Sequence, residues 1–242
     1  MTQQISNQVQ AILLDIEGTT TPVDFVFGVL FPFARDQAEH FLQTNGEEAA
    51  VQADLALLRQ EYEADLAQGL AVPDWQGEEP AAAVPYIHYL IGCDRKSTGL
   101  KSLQGKIWDQ GYVEGTLQSQ IYPDVQPAFL RWTGAGKQLF IFSSGSIQAQ
   151  KLLFANTEQG DLTSLLSGYF DTTTGPKKEA ESYQKIAANI GLPTDQILFI
   201  SDVAAELKAA SSAGMKTLFS YRPGNHSNDP EGFVLIENFD SV

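Results

Sequence analysis

Four short clusters in this 242-residue chain carry residue types that could do chemistry. They are Asp15-Ile16-Glu17-Gly18-Thr19-Thr20, then Ser143-Ser144-Gly145, then Lys177, then Ser201-Asp202. An aspartate that closes an apolar run is costly to bury without a partner, and a cation removes that cost. Magnesium prefers oxygen ligands in an octahedron and keeps several waters, so Asp15 and Asp202 suffice as its carboxylates. The ion would let a carboxylate approach a phosphate ester, and Asp15 could then attack phosphorus to give an acyl phosphate that water hydrolyses. Ser143, nearby backbone N–H groups and the Lys177 ammonium suit the phosphoryl oxygens. Lys177 could also hold Asp15 and Asp202 ionised and close together. Glu17 could protonate the leaving oxygen and later activate water.

Taken singly these clusters are weak. Asp-x-Glu-Gly-Thr makes a plausible turn, Ser-Ser-Gly a helix cap, Lys177 a solvated lysine and Asp202 an N-cap. Their order along the chain, each at a strand end or before a helix, is what joins them into one site.

The surrounding elements can position them. Val9 to Leu14, Gln138 to Phe142 and Gln196 to Ile200 are apolar runs that each stop at polar residues, as buried parallel strands do. Helical patterns cover Ile147 to Phe154, Glu179 to Ile190 and Ala204 to Ala213, and Lys216 to Phe219 reads as a further strand. This alternation predicts a doubly wound, Rossmann-like parallel sheet with its working groups at the strands' carboxyl ends.

Residues 25–121 read differently, as a helical block inserted after the first strand. Its clearest helix is Glu47 to Gln68, with Val51, Leu55, Leu58, Tyr62 and Leu66 on one face. Glu47, Glu48 and Asp54 read as its solvated side. A second helix is expected over Lys101 to Tyr112. The expected division is an α/β core of residues 1–24 and 122–242, with residues 25–121 as a cap over the active site.

A net charge of −15 argues against nucleic acid or anionic lipid as partners. No apolar run of membrane-spanning length occurs. Cys93 is the single cysteine, which excludes an intrachain disulfide and makes a reducing compartment the default. Met1 to Gln10 lacks the blocks of a signal peptide. A cytoplasmic monomer acting on a small molecule is expected. His40, His88 and His226 are not at metal-ligand spacings, and Trp75, Trp108 and Trp132 read as packing residues.

The four clusters resemble those of the haloacid dehalogenase superfamily, whose phosphatases use an aspartate nucleophile, a second acid two positions later, a Ser/Thr, a Lys and a metal-binding Asp. Most have Asp-x-Asp where this chain has Asp15-Ile16-Glu17. Glu17 could therefore act as acid/base or lend magnesium only its backbone carbonyl. DIEGTTTPVDFV (Asp15 to Val26), LQGKIWDQGY (Leu103 to Tyr112), FSSGSIQAQKLLF (Phe142 to Phe154), EAESYQKIA (Glu179 to Ala187), ILFISDV (Ile197 to Val203) and Arg222-Pro223-Gly224-Asn225 resemble the enolase-phosphatases of methionine salvage. That resemblance implies enolisation of 2,3-diketo-5-methylthiopentyl-1-phosphate, then dephosphorylation to the acireductone 1,2-dihydroxy-3-keto-5-methylthiopentene. It implies Mg2+ on Asp15, Glu17 and Asp202, substrate or phosphate on Ser143, Ser144 and Lys177, and catalysis by Asp15, Glu17 and Lys177. The base that removes the carbon-bound proton stays open, Glu17 being the nearest candidate in sequence. A general capped phosphatase or phosphomutase on a small sugar phosphate is the rival reading. A catalytically silent relative would lack Asp15 or Lys177, and both are present.

Overall fold

A computed structural model describes residues 8–225, 229–240 and 242 of the chain. The first strand, β1 (Ala11–Leu14), leads through the Asp15 loop into a single turn, α1 (Val23–Phe25), and one π-helical turn, Val26–Leu30. Four helices follow: α2 (Phe31–Asn45), α3 (Ala49–Ala67), α4 (Val84–Gly92) and α5 (Thr98–Val113). Then come α6 (Val125–Gly134), β2 (Gln138–Phe142), α7 (Ile147–Ala155) and β3 (Gly168–Phe170). The chain continues with α8 (Ala180–Ile190), β4 (Ile197–Ser201), α9 (Ala204–Ser212), β5 (Lys216–Ser220) and β6 (Leu235–Ile236). These residues form two compact units, Met1–Val26 with Gln118–Val242, and Phe27–Leu117.

In the first unit the six strands pair in parallel in the order β3-β2-β1-β4-β5-β6. Both faces are buried, which is why the strands read as unbroken apolar runs rather than alternations. Ala11, Leu13, Phe140, Phe142, Ile197 and Phe199 pack on one side against Tyr183 and Ile186 of α8 and Leu207 and Ala210 of α9. The alternate residues Ile12, Leu14, Leu139, Ile141, Leu198 and Ile200 are equally buried. The direction of chain progression reverses between β1 and β4, and in open α/β sheets ligands bind beyond the strand ends at such a point. Asp15 follows β1 and Asp202 follows β4, so the two acids flank it.

The second unit is helical. Helix α3 buries Val51, Leu55, Leu58 and Tyr62, and Leu103 and Ile107 of α5 and Tyr86 and Leu90 of α4 are buried with them. Leu66, expected on that face, is 49% exposed. Asp65 takes the inward position one residue earlier, where Arg95 bonds both its oxygens (2.7 and 3.1 Å) and Tyr86 donates to it at 2.9 Å. Asp54, expected on the solvated side, is also buried, and Lys106 of α5 reaches it at 2.6 Å. Helical spacing cannot reveal a carboxylate whose partner lies some 30 or 50 residues away. Trp75 is a packing residue, stacked on Tyr86 and capped by the Arg59 guanidinium 4.0 Å from its ring centre. Among the described residues no helix is long and apolar enough to cross a membrane.

Candidate active site

Asp15 stands one residue beyond β1, 4% exposed, and its backbone N–H still donates to Ile200 O at 3.0 Å as though the ladder continued. The chain then folds back sharply: Ile16 O accepts the N–H groups of Thr19, Thr20 and Thr21. One donor from the loop and one from β4 meet the carboxylate. Ile16 N–H bonds Asp15 Oδ1 at 2.8 Å, and Ser201, beside it at the end of β4, donates to Oδ2 at 3.0 Å.

Lys177 closes the arrangement. It lies in the turn before α8, held where Tyr183 donates to Lys177 O and Ser182 to Pro176 O, each at 2.7 Å. Its Nζ sits 2.7 Å from Asp15 Oδ1 and 2.8 Å from Glu206 Oε2. Burial disfavours the ammonium, yet Asp15 and Glu206 together raise its pKa above the ordinary lysine value. The lysine is thus locked in its charged form.

Asp202 is the reverse case. It is buried, and no hydrogen bond or ion pair reaches its carboxylate among the described residues. Desolvation, then Asp15 and Glu206, push its pKa up to about 8 against the opposing pull of Lys177. A buried carboxylate beside two others with no cation of its own fits a divalent ion. Among the described residues no three acidic, imidazole or thiolate groups converge as a full metal cage. Two carboxylates with carbonyls and water match magnesium, which rarely takes an all-protein cage.

Of the other expected residues, Ser143 is buried just past β2, and its hydroxyl accepts from Gly145 N–H at 3.1 Å. Ser144 follows it, half-buried. Glu17 is half-buried in the loop, which a backbone bridge to Thr21 closes. Its charge raises the Asp202 pKa, so it acts on the same field.

Sequence reasoning passed over Glu206. It lies in the first turn of α9, where an acid ordinarily offsets the helix dipole. Here it is buried, bonded to Lys177 and 3.1 Å from Ser201 Oγ. Desolvation and Asp15 push its pKa up to about 7. The available signal was its place four residues after Asp202, one helical turn into the segment that the site abuts. Arg222 and Asn225 were also given no role. Arg222 forms a two-pronged pair with Asp124 (2.8 and 2.9 Å) and donates to Thr19 O at 3.2 Å. Asn225 and Ser220 each donate to Gly18 O at 3.0 Å.

Gly18 is required twice over. Its φ is +68°, and a Cβ there would stand 2.2 Å from Asp202 Oδ2. Gly18→Ala is therefore expected to lower stability by about 1–3 kcal/mol and to displace Asp202. Urea denaturation and kcat measured together check this; a fully active, fully stable variant would contradict the packing.

A buried carboxylate with a charged lysine on it and a second acid across the strand reversal is an arrangement suited to phosphoryl transfer on an α/β sheet. The haloacid dehalogenase-like hydrolase family matches residues 9–214, and the chain belongs to that family. Within it, the chain is 59% identical over 234 residues to enolase-phosphatase E1 of Synechococcus elongatus, spanning 97% of this chain and 98% of the relative. Enolase-phosphatase E1 of Pseudomonas fluorescens is 44% identical over 238 residues, 97% of each chain. The UTR4 protein of Saccharomyces cerevisiae superposes with a TM-score of 0.79 at 33% identity, covering 97% of this chain and all of that one.

Proposed function

We infer that the chain is an enolase-phosphatase of methionine salvage, converting 2,3-diketo-5-methylthiopentyl-1-phosphate into the acireductone through an aspartyl-phosphate on Asp15. The observation that carries the chemistry is the buried Asp15–Lys177 contact of 2.7 Å beside Asp202, which has no partner among the described residues. The near-full-length identity to proteins named enolase-phosphatase E1 carries the substrate.

In the proposed reaction the proton on the phosphate-bearing carbon, acidified by the adjacent ketone, leaves first, and the enolate oxygen takes a proton from water to give the enol. Glu17 is the candidate to take the carbon-bound proton and afterwards to protonate the leaving oxygen. The Asp15 carboxylate then displaces the enol oxygen from phosphorus, and water cleaves the acyl phosphate. Lys177 neutralises the charge that gathers between Asp15 and the phosphoryl group without itself releasing a proton. The Ser143 hydroxyl, with Ser144, would hold phosphoryl oxygens at the end of β2. Mg2+ held by Asp15, Asp202 and Glu17 would supply charge neutralisation and polarise the phosphoryl oxygens. Residues 27–117, the helical unit, are proposed as the cap that selects the substrate.

An anaerobic assay with the diketone phosphate, run with magnesium and with excess chelator, tests this reading. Ultraviolet absorbance follows the enol while a second channel counts inorganic phosphate. Magnesium-dependent acireductone with one phosphate per turnover is expected. Phosphate release from common esters with no enol signal from the diketone would end the salvage assignment and leave a general phosphatase.

A further inference from the structure

The loop that brings Arg222 and Asn225 against the Asp15 turn leaves two buried polar atoms, Arg222 Nε and Asn225 Oδ1, without a partner among the described residues. Asn225 is 8% exposed. Its Nδ2 donates to two backbone carbonyls, Gly18 O at 3.0 Å and Ser220 O at 3.2 Å. Two acceptors at that nitrogen fix which end of the amide is which, because an oxygen turned to the same place would face both carbonyls with no hydrogen to offer. Asn225 Oδ1 is consequently held in the other direction, and among the described residues it has no donor.

What it faces is given by Gly18. The space a Cβ would fill there is bounded by Asp202 Oδ2 at 2.2 Å and Asn225 Oδ1 at 2.8 Å. Two acceptor oxygens, one of them a carboxylate, border the same small space, and no hydrogen bond from the described residues reaches either. Leaving a buried acceptor unsatisfied is costly. A water molecule satisfies both at once, and magnesium characteristically keeps several of its waters.

We propose that Asn225 is a positioning residue for the metal: its Oδ1 accepts a hydrogen bond from a water in the hydration shell of the divalent cation held at Asp202. The amide thereby links the loop carrying Gly18 to the cation, holding the turn after the nucleophile and the ion in one register. This rests on the reading that a divalent cation is held at Asp15 and Asp202.

The test measures magnesium affinity by isothermal titration calorimetry on the full chain, with the melting temperature in chelator as a second reading. Four proteins are compared: wild type, Asn225→Ala, Asn225→Ser and Ser220→Ala. Ser220→Ala removes the other donor to Gly18 O and leaves Asn225 Oδ1 untouched, so it reports the loop tether alone. Partners of this kind typically account for about 10- to 100-fold in metal affinity. Both Asn225 variants are expected to bind magnesium at least ten-fold more weakly, with Ser220→Ala within about two-fold of wild type. The serine variant gives the same reading should the alanine variant not fold. Affinity unchanged in the Asn225 variants would overturn the proposal, as would an equal loss in Ser220→Ala. No magnesium binding by the wild type would instead remove the metal site itself, a result distinct from either.

Discussion

Asp15→Asn is expected to abolish phosphate release, lowering kcat by a factor on the order of ten thousand or more, with the fold intact. The expectation separates geometry from nucleophilicity. An asparagine oxygen can still accept from Ile16 N–H and from Lys177, the two donors to Asp15 Oδ1. Ser201, which donates to Oδ2, can turn to accept from an amide nitrogen, since Glu206 also lies within 3.1 Å of it. What is lost is an anionic oxygen able to form the acyl phosphate. Single-turnover phosphate counting and circular dichroism on the same preparation check both halves. Normal turnover would sink the mechanism, and enol formation surviving in the variant would show that enolisation proceeds without the nucleophile.

Lys177→Met is the second large effect, and it falls on stability as well as rate. Lys177 is the cation common to Asp15 and Glu206, and removing one member of a buried pair typically costs about 3–5 kcal/mol. For a chain of this size that corresponds to a melting temperature lower by roughly 10 °C. The loss has a predictable pH dependence. Glu206 already titrates at about 7 in the folded protein, with Lys177 pulling it down, against an ordinary 4.5. Without the lysine it moves further up. A carboxyl whose folded pKa exceeds its unfolded one makes the folded state bind more protons, so stability falls as pH rises between the two values. The deficit of Lys177→Met is therefore expected to widen from pH 5 to pH 8. Adding Glu206→Gln is expected to recover part of it, as urea titrations at both pH values would show. A deficit that shrinks with rising pH, or a double variant no better than the single, would mean that the lysine does not neutralise this cluster.

The legible parts of the fold are those where local chemistry and tertiary role coincide. Strands β1, β2 and β4 are central and covered on both faces, so each announces itself as an apolar run that stops at polar residues. Strands β3 and β6, three and two residues long at the sheet's edges, offer too little periodicity to be seen. In the helical unit, Asp65 rather than the expected Leu66 turns inward, because a bidentate arginine 30 residues downstream makes the acid the better core residue. The site shows the same division. Asp15, Lys177 and Asp202 stand out because each interrupts or follows a recognisable element. Glu206 is hidden by a helix N-terminus where acids are commonplace, and Asn225 by a short loop whose partners lie two hundred residues earlier.

The pairing of β1 also bears on how the chain comes to be made. Ala11 lies opposite Gln138 on one side and Ile197 on the other. A ribosome adding about 5–20 residues per second reaches Gln138 on the order of ten seconds after β1 has been synthesised, and Ile197 several seconds later. Over that interval a bare apolar strand ending at Asp15 waits for partners. Residues 27–117, by contrast, form one unbroken stretch whose internal packing can form once Leu117 is added. During synthesis the insertion delays the sheet, and the nascent chain's exposure to mispairing is set by its length.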